Sequence, residues 1–173
     1  MKLMYSIHQY DVLMFSRLNN SAIHASLVGL CRLLSWSGDG ILYVALAAGL
    51  YWHQGIANPL LQTLLLGFVL ERPVYFVLKN AFKRNRPQQA IDNFRSVITP
   101  SDQFSFPSGH TSAAFLVATL VSYFFPALTI VLYAWAVLVG FSRIVLGVHF
   151  PTDTLMGVVL GVSIAMFSLN NIL

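Results

Sequence analysis

Six apolar stretches run through this chain, separated by short polar gaps and one long one. Residues 22–36 form the first; it is short, and it carries His24 and, near its end, Arg32, whose stem can snorkel. The polar run SWSGDG at 35–40 reads as a turn, and residues 41–53 form the second stretch. Trp36 and Trp52 sit where an aromatic belt would place them. Residues 58–82 form the third, with Pro59 at its start. At 1.5 Å of rise per residue it is long enough to cross a hydrocarbon core of roughly 30 Å. The fourth covers 108–125, the fifth 127–146 after a turn at Pro126, and the sixth 151–169. In the sixth, Gly157, Gly161 and Ala165 recur every four residues, a spacing that predicts close contact with another helix.

Ahead of these, residues 1–20 place Leu3, Ile7, Tyr10, Met14 and Leu18 at helical spacing, with Lys2, Asp11 and Arg17 among polar neighbours. That pattern predicts an amphipathic helix in the membrane interface. The first half of a core helix would carry a similar stripe. Between the third and fourth stretches, residues 84–106 are polar. An irregular segment of that length inside a small domain is usually functional. Glu71, Arg72 and Pro73 stand in the middle of the third stretch. Charges at that depth are expensive, so they are expected to pair and to face protein or water, and Pro73 predicts a kink.

Composition makes the membrane reading firm. Of 173 residues, 57% are hydrophobic and only 9% charged, with a mean hydropathy of +0.70. A soluble domain carries about 25% charged residues. The expected fold is all-α: one integral membrane domain over 1–173, with six transmembrane helices and an N-terminal interfacial helix. Apolar stretches lie all along the chain, so none reads as merely a cleaved signal. The lone Cys31 excludes an internal disulfide and a cysteine metal cluster. The net charge of +4 does not point to nucleic acid, because the cations abut apolar helices.

Those cations are local. Six of the ten Lys and Arg residues fall between Arg72 and Arg95. A basic cluster beside a membrane helix can serve topology or headgroup binding; it can also hold an anionic substrate. Lys79 and Arg86 stand two helical turns apart on one face, and Pro87 predicts that the helix ends at Arg86. Arg supplies a planar fork for phosphate oxygens and Lys a point charge. Lys83 and Arg84 read as plain interfacial charges. The second cluster, Pro107, Ser108, Gly109 and His110, opens the fourth stretch. A helix N-terminus suits a phosphate; Ser108 either caps the helix or binds an oxygen, Gly109 lets the backbone approach, and His110 can donate a proton. The third comprises Ser142, Arg143, His149 and Asp153. Pro151 suits the first helical position, which puts Asp153 in the first turn, near enough to accept one imidazole N–H of His149 and leave the other nitrogen free to attack. Asp153 could equally complement the helix dipole. With six alternating spans and both chain ends on one side, all three clusters share the opposite face.

Taken together, Lys79-x6-Arg86-Pro87, Pro107-Ser108-Gly109-His110 and Ser142-Arg143-x5-His149-x3-Asp153 resemble the three motifs of the type 2 phosphatidic acid phosphatase family, in order and spacing. The resemblance implies a membrane lipid phosphate phosphatase. It would act on isoprenoid diphosphates such as undecaprenyl diphosphate, on phosphatidylglycerophosphate or on phosphatidic acid. In that family's scheme His149 is the nucleophile and forms a phosphohistidine, Asp153 orients it, and His110 protonates the leaving group and then activates water. Lys79, Arg86, Ser108, Gly109 and Arg143 bind the phosphoryl oxygens. No metal or other cofactor, nucleic acid or obligatory protein partner is implied. By likeness to bacterial members, the chain is expected in the inner (cytoplasmic) membrane with its site facing the periplasm and both ends cytoplasmic. Two other readings use the same cations: a lipid phosphotransferase that passes the phosphoryl group to an alcohol, and a non-catalytic protein that binds anionic headgroups.

Overall fold

The computed structural model describes residues 2–173, with side chains from residue 6 onward. Leu3 of the N-terminal stripe, and the side chain of Lys2, lie outside the described side chains. The described residues are all helical or irregular. The helices are α1 (Lys2–Asn19), α2 (His24–Ser37), α3 (Gly40–Gln54), α4 (Pro59–Phe82), the single turn α5 (Pro87–Ala90), α6 (Gly109–Phe124), α7 (Thr129–Val145) and α8 (Pro151–Ile172).

The centre of the molecule is α6, packed by α4, α7 and α8. The four-residue repeat on α8 makes this possible. A Cβ on Gly157 would stand 2.7 Å from the Ser108 carbonyl oxygen, and one on Gly161 would stand 2.2 Å from that of Ser112. Only residues without a side chain let the two backbones approach so closely. Leu60 and Leu64 of α4, Leu116 and Leu120 of α6, and Ala165 and Leu169 of α8 close the core at the end away from the three motifs. Ala114, Phe115 and Ala118 of α6 pack on Ala136 and Val139 of α7. Outward, residues such as Ile130, Val131 and Val69 are exposed. An apolar surface of that extent is one that lipid covers.

Among the described residues, four helical stretches are long and apolar enough to cross a membrane: His24–Ala57, Pro59–Ala90, Pro126–Val145 and Pro151–Ile172. The expected spans at 22–36 and 41–53 both fall in the first of these, which is interrupted at Gly38 and Asp39. The expected span at 108–125 is α6, only 16 residues long. The helix carrying Lys79 covers the third apolar stretch, 58–82, but does not run on to Arg86 as Pro87 suggests. It ends at Phe82, because Lys83 adopts the left-handed conformation with φ 45° and closes the last turn onto the Lys79 carbonyl. Arg86 is therefore outside the helix, and α4 continues through Pro73.

The placing of the N-terminal end is corrected as well. The alternation put both ends on the face opposite the motifs. Instead, α1 lies at the motif end: Asp11 bonds Thr152 and Arg84, and Phe15 packs on Phe94 and Phe150. Both ends of α2 stay there too, His24 on the Val145 carbonyl and Ser35 on Arg143. Hydropathy marks which stretches are apolar; it does not say which of them run through and which lie across an end.

Candidate active site

The three motifs meet at one end of α4, α6, α7 and α8, around a cavity of about 480 Å³. His110, His149, Arg143, Arg86 and Gly109 line it, together with Asp39, Asp102, Arg72 and Tyr75, which the motifs do not include. Lys79 and Ser108 are buried just behind the lining.

His149 sits in the tight link between α7 and α8. Gly147 takes φ +78° there, and the amides of Val148 and His149 both bond the Arg143 carbonyl oxygen. A side chain on Gly147 would also strike Phe94, 2.6 Å away, so this turn requires glycine on two grounds. Asp153 follows in the first turn of α8, where it accepts the Phe150 N–H at 2.7 Å and so caps the helix. Its carboxylate also takes Arg84 at 2.8 Å and the Ser105 hydroxyl. The imidazole Nδ1 of His149 is 3.8 Å from Asp153, beyond hydrogen-bond reach, and has no partner among the described residues. The expected pair is therefore adjacent but not hydrogen-bonded. Burial holds the His149 imidazole down at about 3, against the pull of the Asp153 carboxylate, so the ring is neutral at ordinary pH. A neutral ring is what a nucleophile requires.

The cations converge as expected, but through a residue that the sequence did not single out. Asp102, in the irregular segment after α5, accepts Lys79 Nζ at 2.7 Å and the Arg86 guanidinium on one oxygen. Its other oxygen accepts the Tyr75 hydroxyl at 2.7 Å. Arg86 also donates to the Asp102 carbonyl at 3.0 Å and to the Val148 carbonyl at 2.6 Å, next to His149. Burial by itself would raise the Asp102 carboxyl, but the bonds from Lys79, Tyr75 and Arg86 outweigh it and hold the group well below the usual carboxylate range.

Arg143 is different. It donates to Ser35 through one terminal nitrogen, while its Nε is buried with no partner among the described residues. Arg143 lines the cavity, and a buried guanidinium N–H left without a partner favours an anion beside it. Near it, α6 begins: the amides of Gly109, His110 and Thr111 precede the first intrahelical bond, which Ser112 makes to Ser108. The Ser108 hydroxyl accepts from Thr111 at 2.9 Å rather than capping the helix. A Cβ on Gly109 would meet the Tyr75 ring at 3.0 Å, so the glycine here admits Tyr75 against the helix start.

Arg84 is no loose interfacial charge: it bridges Asp153, Thr152 and Asp11 and stacks 4.6 Å over the Phe150 ring. Lys83 is exposed, as a plain charge would be. Glu71 is fully buried and pairs with Arg72 and Ser112. Asp39, from the break between α2 and α3, bonds His110 Nε2 at 2.7 Å. For Asp102, Asp39 and Asp11 the sequence offered no signal beyond a carboxylate in a polar stretch; their partners lie 16 to 141 residues away.

The fold and the site together define a class: an all-helical membrane protein with two histidines and a cluster of cations gathered at one end. The chain belongs to the PAP2 superfamily, whose family model matches residues 57–172. Phosphatidylglycerophosphatase B of Bacillus subtilis is 37% identical over 131 residues, which are 69% of this chain and 61% of that protein. The match thus spans about three fifths of that relative's length, and 63% of the bacitracin transport permease protein BcrC of Bacillus licheniformis, which is 28% identical. Among solved structures, Aquifex aeolicus LpxE superposes with a TM-score of 0.80 at 30% identity, covering 91% of this chain and 93% of that one. A transmembrane PAP2-type phosphatidylglycerolphosphate phosphatase from Bacillus subtilis gives 0.79 at 28%, covering 96% and 86%.

Proposed function

We propose that this protein is a membrane lipid phosphate phosphatase that works through a phosphohistidine. The observation that carries the reading is the unpaired, buried Nε of Arg143 beside a neutral His149, in one cavity with His110 and Arg86. That is a phosphate cradle with a nucleophile on one side and a proton carrier on the other. His149 attacks phosphorus through Nε2; the N–P bond forms as the P–O bond to the leaving group breaks. His110 gives the leaving oxygen its proton. Water then attacks phosphorus, the N–P bond breaks, and the water proton passes to His110. Arg143, Arg86, Lys79 and the start of α6 at Ser108 and Gly109 stabilise the charge on the equatorial oxygens. Asp153, held by Arg84 and Ser105, carries the negative charge that favours a cationic ring as His149 is phosphorylated.

The cavity supports a lipid as substrate. Away from the histidines its wall is apolar, with Val44 and Ala47 of α3 and Leu65 and Phe68 of α4. A tail can lie along that wall while the phosphate meets the cations. Isoprenoid diphosphates, phosphatidylglycerophosphate and phosphatidic acid all fit this chemistry. The relatives' names point to lipid phosphates in the same way.

In the membrane, we read α3, α4, α6, α7 and α8 as five crossings. An odd number agrees with α1 lying at the site end while α8 runs to the opposite end. On α1, Ile7, Tyr10 and Met14 point outward, while Asp11 and Phe15 are buried against the protein. This supports an interfacial helix laid over the site end. We place that end in the periplasm of a bacterial inner membrane, by likeness to bacterial members. A phosphate-release assay on purified protein tests the function: release from these lipids is expected, with EDTA without effect. Strict preference for a water-soluble phosphate ester, with lipids inert, would contradict it.

A further inference from the structure

We infer that Asp39 is a positioning residue for His110, making a second carboxylate–histidine pair on the leaving-group side of the site. The inference rests on the phosphatase reading above and extends it to a residue outside the three motifs.

Asp39 stands at the N-cap of α3, where an aspartate ordinarily accepts a hydrogen bond from the helix's own first turn. Here it makes no such bond. Its carboxylate turns instead to His110 Nε2, 2.7 Å away. The break that presents it is anchored. A Cβ on Gly38 would stand 2.8 Å from Val139 of α7, and the adjacent Ser37 hydroxyl accepts Trp135 Nε1 at 2.9 Å. The interruption between α2 and α3 thus holds one carboxylate at one distance from one imidazole.

That contact decides which nitrogen works. With Nε2–H donated to Asp39, a neutral His110 has Nδ1 free as an acceptor, and a protonated His110 has Nδ1–H free as a donor. The same nitrogen then serves both half-reactions: it gives a proton to the leaving oxygen, and later takes one from water. The other charged and titratable groups facing this cavity are Tyr43 of α3, Arg143 of α7, Arg72 and Tyr75 of α4, His149, Arg86 and Asp102. Among them the cations oppose a charged His110; Asp39 is the carboxylate in contact with it. Asp39 is also 43% exposed on its side chain and lines a second, smaller cavity of about 280 Å³ with His110, Arg143, Arg32 and Thr99. The pair therefore stands where the two cavities adjoin, with Asp39 partly open to solvent, so its proton can exchange with water.

The experiment compares first-step rates by rapid quench for two substrates, p-nitrophenyl phosphate and a long-chain alkyl phosphate. Asp39→Asn retains a good N-cap residue and removes the charge, so α3 is left intact. General acid catalysis contributes roughly 10²–10⁴-fold where the leaving group is poor. Asp39→Asn is expected to slow the first step about tenfold or more with the alkyl phosphate, and less than about threefold with p-nitrophenyl phosphate, whose leaving group needs no acid. Asp39→Glu should recover part of the loss. Equal losses for both substrates, or no loss for either, would overturn the inference while leaving the phosphatase reading intact. A wild-type protein that releases phosphate from neither substrate overturns both.

Discussion

At the scale of single residues, the proposed reaction is divided between His149 and His110. His149→Ala is expected to abolish turnover, because no neighbouring group offers a second nucleophile in that turn. Acid quench of the wild type with labelled substrate should leave a label on His149 that is stable to base and lost in acid; full turnover by the alanine variant would end the scheme. His110→Ala should spare good leaving groups better than poor ones in the first step, since only the proton is missing. Glu71 belongs to structure rather than chemistry. Breaking a fully buried ion pair costs about 3–5 kcal/mol, but Arg72 has half of its side chain exposed and can reach solvent. The residual cost of Glu71→Ala is that of the buried Ser112 hydroxyl losing an acceptor, about 1–3 kcal/mol. A lowered melting temperature in detergent with kcat nearly unchanged is the expected result, and an unchanged melt would show that Ser112 is satisfied by Gly109 alone.

At the scale of elements, the contact between α6 and α8 governs the site. α6 supplies Gly109 and His110, α8 supplies Asp153, and the Ser108 amide bonds the Asp153 carbonyl at 3.0 Å across the gap. Gly161 keeps the two backbones together where a Cβ would meet the Ser112 carbonyl oxygen. Backbone cannot swing aside as a side-chain tip can. Gly161→Ala is therefore expected to cost about 1–3 kcal/mol or more, the usual range for overpacking, and to lower activity by parting α6 from α8. Gly49→Ala, on the exposed part of α3 with nothing within 4 Å of its Cβ, should do neither. Equal melting temperatures for the two variants would refute the close contact. The segment from 91 to 108 behaves as a strap over the same end, pinned by Asp102 to Lys79 and Arg86 and by Ser105 to Asp153 and the Arg84 carbonyl.

At the scale of the whole molecule, charge is confined to one end. No Lys, Arg, Asp or Glu occurs in residues 44–70, 113–142 or 154–173, which make up the far end of the bundle and most of its length. Counted by the positive-inside rule, the site end would face the cytoplasm. Ion pairs take up Lys79, Arg84 and Arg86, and the proposed phosphate site accounts for Arg143. A cysteine in place of Asp92, in a Cys31→Ser background, should label with an impermeant reagent in intact cells. Labelling only after lysis would put the site end in the cytoplasm.

Much of this protein is determined by sequence alone, for a physical reason. Apolar length, the proline starts of α4 and α8, the small-residue repeat on α8 and the motif spacings are local properties, and a chain read in order exposes them. Hence the all-helical membrane class, the family and the convergence of Lys79, Arg86, His110, Arg143, His149 and Asp153 were legible. The apolar stretch ends at Phe82 as α4 does, whereas Pro87 points to Arg86; the left-handed conformation of Lys83 that stops the helix is one its residue type does not announce. The position of α1, the course of α2 and the partners of Asp11, Asp39, Arg84 and Asp102 were decided only by tertiary structure. Each of these rests on a contact between segments far apart in the chain, and no local pattern records which carboxylate will meet which cation once α4, α6, α7 and α8 have closed around one another.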